Sequence, residues 1–168
     1  MAFLEWSDAL SLDLPIMDDT HREFVDLLGA VEEADEVQLL DRWDTLVAHT
    51  QRHFDAEDRW MRDTHFATSN CHSVQHRVVL QVLREGVTLG QTGDLKPIRQ
   101  MARELAVWFP QHAQRMDAAL AIHLRRAGYD EVTGIVHVPQ ALPAEMIHGC
   151  AGDACSDASP TRANTAAA

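Results

Sequence analysis

Four segments of the chain repeat apolar residues at helical spacing, and each of them interrupts its apolar stripe with histidine. In the first, from about Met17 to Asp35, His21, Phe24, Leu28 and Val31 fall at i, i+3, i+7 and i+10, one face of a 3.6-residue helix. The second, from about Val37 to Thr64, lines up Trp43, Leu46, Val47, Thr50, His53, Phe54, Glu57, Trp60 and Met61. The cluster "TSN" at 68–70 reads as the cap of a third helix that runs to about Leu89 and aligns His72, His76, Val79, Leu83 and Val87. After the break "GQTGD" at 90–94, Pro97 suits the first turn of a fourth helix. Its stripe is Ile98, Met101, Leu105, Trp108 and His112, and it ends near Ala127, just before Gly128.

Short connections between such helices favour antiparallel neighbours. The expected fold is therefore all-α, an up-down-up-down four-helix bundle over residues 1–130. An N-terminal arm carries two large apolar anchors, Phe3 and Trp6. Residues 131–168 form a flexible tail; from Gly149 on it offers Ala, Ser, Thr, Asp and Gly and little to bury, so disorder is expected there.

The 168 residues are 46% apolar, enough for a core, and the net charge is −12 with histidine neutral. Nucleic acid and anionic membrane surfaces both call for a basic patch, so neither is an expected partner. The first residues show neither a basic n-region nor a long apolar run, and no stretch approaches a membrane span. Three cysteines make no disulfide framework. A soluble cytoplasmic protein is expected.

The chemistry lies in the polar residues on the core faces. A buried glutamate is costly unless it is paired or bound to metal. His53 and Glu57 stand at i, i+4 in "HFDAE", so both reach one centre, and so do His72 and His76 in "HSVQH". On the fourth helix Asp117 follows His112 at i+5, a rotation of about 140° on an ideal helix; these two are expected to approach a pair of metals from different sides. Pro110, inside the same helix, removes a backbone hydrogen bond and bends it locally. Imidazoles and carboxylates converging in a bundle core make a metal site.

The order of these elements resembles the haemerythrin family, in its single-domain branch. It reads His21, then "HFDAE" (His53, Glu57), "HSVQH" (His72, His76) and "HAQRMD" (His112, Asp117). "EW" near the start, "DDTH" before His21, "HF" at 53–54, Met61 and "WF" at 108–109 agree with it, and the match covers roughly residues 3–128. One HxxxH is weak; four spaced elements in order on four amphipathic helices are specific. The resemblance implies a bridged non-haem centre of two iron ions. His72, His76 and His112 would bind one iron, His21 and His53 the other, and Glu57 and Asp117 would bridge both. One position on the two-histidine iron is then left open for molecular oxygen.

By the same resemblance Phe24, Phe54, Trp108, Phe109 and Ala113 would line the oxygen pocket. The family's bulkier aliphatic after the last histidine is here Ala113, and a tyrosine common three residues after the aspartate is here Leu120. The implied function is non-enzymatic: reversible oxygen binding for storage, or for delivery to an oxygen-consuming enzyme. The alternatives are a sensor of oxygen, nitric oxide or redox state acting through a partner, and an enzyme, either a di-iron peroxidase or a hydrolase using zinc or manganese. His49 is expected to pack beside the site; Cys71 is expected to be small and buried. His65 falls in a loop, His123, His137 and His148 have no partner at useful spacing, and Cys150 and Cys155 fall in the tail.

Overall fold

The computed structural model describes residues 3–66 and 71–145. After a short 3-10 helix at Asp8–Leu10 come four α-helices: α1 over Pro15–Glu33, α2 over Leu39–Asp63, α3 over Cys71–Gln91 and α4 over Lys96–His112. Five residues of π-helix, Ala113–Asp117, then lead into α5, Ala118–Ala127. α1 packs on α2 and α4, α2 on α3, and α3 on α4, the neighbour pattern of an antiparallel four-helix bundle whose fourth rod is α4, the π segment and α5 together. The expected all-α bundle is found; its fourth helix is not uniform. Pro110 lacks the amide hydrogen that would bond back to Ala106, and the backbone register changes three residues later. No helix among the described residues is long and apolar enough to cross a membrane.

The bundle holds two apolar clusters. One gathers Phe24, Leu28 and Val31 of α1, Leu39, Trp43 and Leu46 of α2, Leu83 of α3, and Ile98, Leu105 and Phe109 of α4. The other gathers Met17 of α1, Trp60 and Met61 of α2, and Leu120, Ala121, Leu124 and Ala127 of α5. Along α1, α2 and the fourth rod, the histidines and carboxylates fall in the gap between the two. Packing at both ends therefore sets where these side chains meet. At one end Trp43 donates its indole N–H to the Leu83 carbonyl at 3.0 Å. A Cβ on Gly86 would lie 2.8 Å from that indole nitrogen, so glycine is what lets α2 and α3 come this close.

Helix ends are tied by side chains from other elements. Arg99 of α4 donates to the carbonyls of Val31 (2.8 Å), Glu32 (2.9 Å) and Ala34. It meets orphan acceptors at the negative end of the α1 dipole. At the other end Asp18 accepts from the Leu12 amide and the Ser11 hydroxyl, both at 2.7 Å, which moors the arm. Trp6 of the arm lies against the Arg22 guanidinium, 4.7 Å from ring centroid. α5 stops at Gly128, whose φ of 55° is left-handed, with Tyr129 N–H bonded to the Leu124 carbonyl at 3.0 Å.

Residues 131–145, read from sequence as the start of a flexible tail, run back over the end of the bundle. His137 and Val138 donate to the carbonyls of Gly128 and Ala127, both at 2.9 Å, and Val136 and Leu142 pack on the second cluster. His65 donates to the Pro143 carbonyl at 3.3 Å, and the Tyr129 hydroxyl to Asp63 at 2.8 Å. The expected "TSN" cap and the expected disorder from Gly149 lie outside the described residues.

Candidate metal centre

α1 contributes His21, α2 His53 and Glu57, α3 His72 and His76, and the fourth rod His112 and Asp117; all seven are buried. Their ligating atoms form two groups, each able to hold a metal ion. One is Glu57, His72, His76, His112 and Asp117; the other is His21, His53, Glu57 and Asp117. Within each group the atoms lie within 4.8 Å of one another. The partition into three and two histidines sharing two carboxylates is the one the resemblance implied.

The carboxylates divide their oxygens between the groups. Glu57 turns Oε1 to His53 Nε2 (3.5 Å) and Oε2 to His72 and His76 Nε2 (3.4 and 3.3 Å). Asp117 turns Oδ2 to His21 Nε2 (3.3 Å) and Oδ1 to His72 and His112 Nε2 (2.9 and 3.2 Å). His112 and Asp117 therefore converge, where an ideal α-helix would separate them by about 140°. The π segment corrects that expectation: its i→i+5 register is the one in which residues five apart share a face.

These approaches leave the groups unsatisfied. Both oxygens of Glu57 and of Asp117, and Nε2 of His21, His53 and His72, are buried without a hydrogen bond. The Nε2 atoms of His76 and His112 lie 3.3 Å apart, lone pair toward lone pair unless one is protonated. Buried polar atoms are normally paired, and a cation between them meets all of these demands at once. The electrostatics agree. Burial raises the Glu57 carboxyl and Asp117 adds to this, yet His53, His72 and His76 outweigh both and hold it well below the usual range. Burial likewise opposes ionisation of Asp117, and His112, His21 and His72 overcome it. Burial pushes His53 down to about 4, whereas His72, facing Asp117 and Glu57, is pushed up to about 10 despite burial.

Aromatic rings wall the cluster. Phe54 stacks on His76 and Trp108 on His112, with centroids 3.9 and 4.4 Å apart. Phe109 stands edge-on to His21 at 5.1 Å and stacks on Phe24 at 4.6 Å. Phe24, Phe54, Phe109 and Ala113 are buried; Trp108 is half-buried and faces a cleft between α3 and α4.

The description "Hemerythrin HHE cation binding domain" matches residues 12–121. The chain belongs to the haemerythrin family. The bacteriohemerythrin of Ralstonia nicotianae is 35% identical over 130 residues, 77% of this chain and 95% of that protein. Bacteriohemerythrins of Pseudomonas paraeruginosa and Pseudomonas aeruginosa are each 23% identical over 131 residues, 76% of this chain and 85% of theirs. No solved structure matches. As a haemerythrin the chain has a bridged pair of iron ions for its cofactor, and the buried imidazoles and carboxylates fit that pair.

Around this haemerythrin centre stand residues that spacing did not single out. Asp58 Oδ1 lies 3.1 Å from His76 Nδ1, and Gln75 Oε1 lies 3.2 Å from His112 Nδ1. Asp58 directly follows Glu57 and Gln75 directly precedes His76; adjacency was the one available signal, and it does not say which way a side chain turns. His49 is buried outside both groups, with Nε2 3.1 Å from Glu23, as expected of a packing neighbour. His123 donates to the Thr64 carbonyl at 2.9 Å. Cys71 is half-buried and disulfide-bonded, not the small apolar core residue expected. His148, Cys150 and Cys155 lie outside the described residues.

Proposed function

We propose that this haemerythrin binds molecular oxygen reversibly, for storage or for delivery to an oxygen-requiring enzyme. His72, His76 and His112 would hold one iron and His21 and His53 the other, with Glu57 and Asp117 shared between them. The observation that carries the reading is the division of each carboxylate, one oxygen toward the three-histidine side and one toward the two-histidine side. With both bridges shared, the two-histidine side has one protein ligand fewer. When bound, the iron pair would supply the electrons that hold the gas. Five imidazoles against two carboxylates make a less anionic donor set than the glutamate-rich ferritin-like sites, which favours reversible binding over oxidation of a second substrate.

The remaining residues protect the site. Phe24, Phe54, Trp108, Phe109 and Ala113 form an apolar wall that keeps out water and protons. The test is the absorption spectrum of protein reconstituted anaerobically with ferrous iron, then cycled between oxygen and argon. Two irons per chain and a visible band that appears with oxygen and vanishes without it are expected. One zinc per chain with no iron uptake would overturn the metal assignment. Irreversible oxidation with turnover of a peroxidase substrate would instead favour an enzyme.

A further inference from the structure

The outer nitrogens of the cluster imidazoles are served unequally. His76 Nδ1 meets the Asp58 carboxylate at 3.1 Å, and His112 Nδ1 meets the Gln75 amide oxygen at 3.2 Å. Both rings belong to the three-histidine group. The third ring of that group, His72, has a buried Nδ1 with no hydrogen bond, and so does His21 of the two-histidine group. Asp58 is 38% exposed at its side chain, whereas His76 is 1% exposed. A solvent-stabilised carboxylate thus reaches one buried ring from its outer side.

We infer that Asp58 and Gln75 are positioning residues that make the three-histidine position the tighter-binding and more electron-rich of the two. An acceptor oxygen at Nδ1 keeps the proton on that nitrogen, so the lone pair is on Nε2 and faces the cluster. The ring plane is held at the same time, and for His76 the stacked Phe54 ring holds it again. The partners differ in charge. Asp58 polarises His76 and raises its donor strength, while neutral Gln75 orients His112 without adding charge. Such outer partners commonly govern metal affinity by roughly 10- to 100-fold. His21 has no comparable partner, so the asymmetry between the positions is built from outside the ligand set.

The inference rests on the di-iron reading, and two probes separate their fates. The first needs no iron. Cobalt(II) binding is measured by chelator competition on the full chain. Asp58→Ala should weaken the tighter of two binding steps by roughly 10-fold or more and leave the other unchanged. Asp58→Asn keeps an acceptor oxygen and should stay within a few-fold of wild type. In the zinc-loaded protein, the His76 Nδ1–H resonance should be present in wild type and Asp58→Asn and lost or shifted in Asp58→Ala.

The second probe is the reduction midpoint of the iron-loaded protein. Removing the charge in Asp58→Asn should raise it; adding one beside His112 in Gln75→Glu should lower it. Cobalt affinities equal across the set, or midpoints unmoved by both charge changes, would overturn the assignment. Should Asp58→Ala fail to fold, Asp58→Asn and Gln75→Glu still decide it. Absence of iron uptake together with the expected cobalt and zinc results would sink the di-iron reading alone.

Discussion

The Phe54 ring lies flat on the His76 imidazole, with centroids 3.9 Å apart and planes 6° apart. Phe54 belongs to α2 and follows His53 by one residue, yet it serves a histidine of α3. Phe54→Leu keeps most of the buried volume and removes the stack. Aromatic pairs contribute about 0.5–1.5 kcal/mol beyond their area, so we expect a loss of about 1 kcal/mol in the metal-free protein. Denaturant unfolding of the two chains measures it; equal midpoints would show that the stack contributes nothing.

Metal uptake at neutral pH should release protons. His72 is pushed up to about 10: burial lowers it, but Asp117 and Glu57 outweigh burial. A histidine raised above its unfolded value contributes stability that is fully present below about 6.5 and is lost as pH rises through about 10. The metal-free protein at pH 7 therefore carries a charged His72, and a metal needs the neutral ring. Apparent affinity for zinc should climb with pH from neutrality to about 10. Calorimetry in buffers of different ionisation enthalpy counts the protons; a heat independent of buffer would contradict this.

Ala113 is fully buried directly after His112, in the same cluster as the stacked rings of Phe24 and Phe109. On the oxygen-binding reading, Ala113→Ile extends the apolar wall and should slow autoxidation at equal pH and temperature. Overpacking, at about 1–3 kcal/mol, would appear instead as a lower melting temperature. A variant that melts like wild type and autoxidises as fast or faster would show that Ala113 leaves no opening.

Ending the chain after Ile135 removes the amides of His137 and Val138 that bond to Gly128 and Ala127, the side chains of Val136 and Leu142 that pack on the second cluster and, with every cysteine but Cys71, that residue's disulfide. The melting temperature should fall. Metal content should stay at two per chain, since all seven converging side chains precede this point. Loss of metal on truncation would place a required group in the removed segment.

Much of the centre is legible in the chain itself. His53 and Glu57 at i, i+4, and His72 and His76 likewise, share a face because local helix geometry alone dictates it. The apolar residues around them showed which face turns inward. The two carboxylates could be assigned as bridges only through the family pattern. His112 and Asp117 resisted local reasoning: their spacing is wrong for an α-helix, and a π register after Pro110 brings them together. The outer partners were not legible at all. Asp58 lies about 100° around α2 from Glu57, and nothing in its neighbourhood along the chain states that it meets His76 of α3. That contact depends on the rotation and axial register of one helix against another. Those are set by packing far from the contact, such as Trp43 against the backbone of Leu83 beside Gly86. Side-chain period is a property of a single backbone and can be read along the chain; the meeting of two helices is a property of the whole core, and only the tertiary structure decides it.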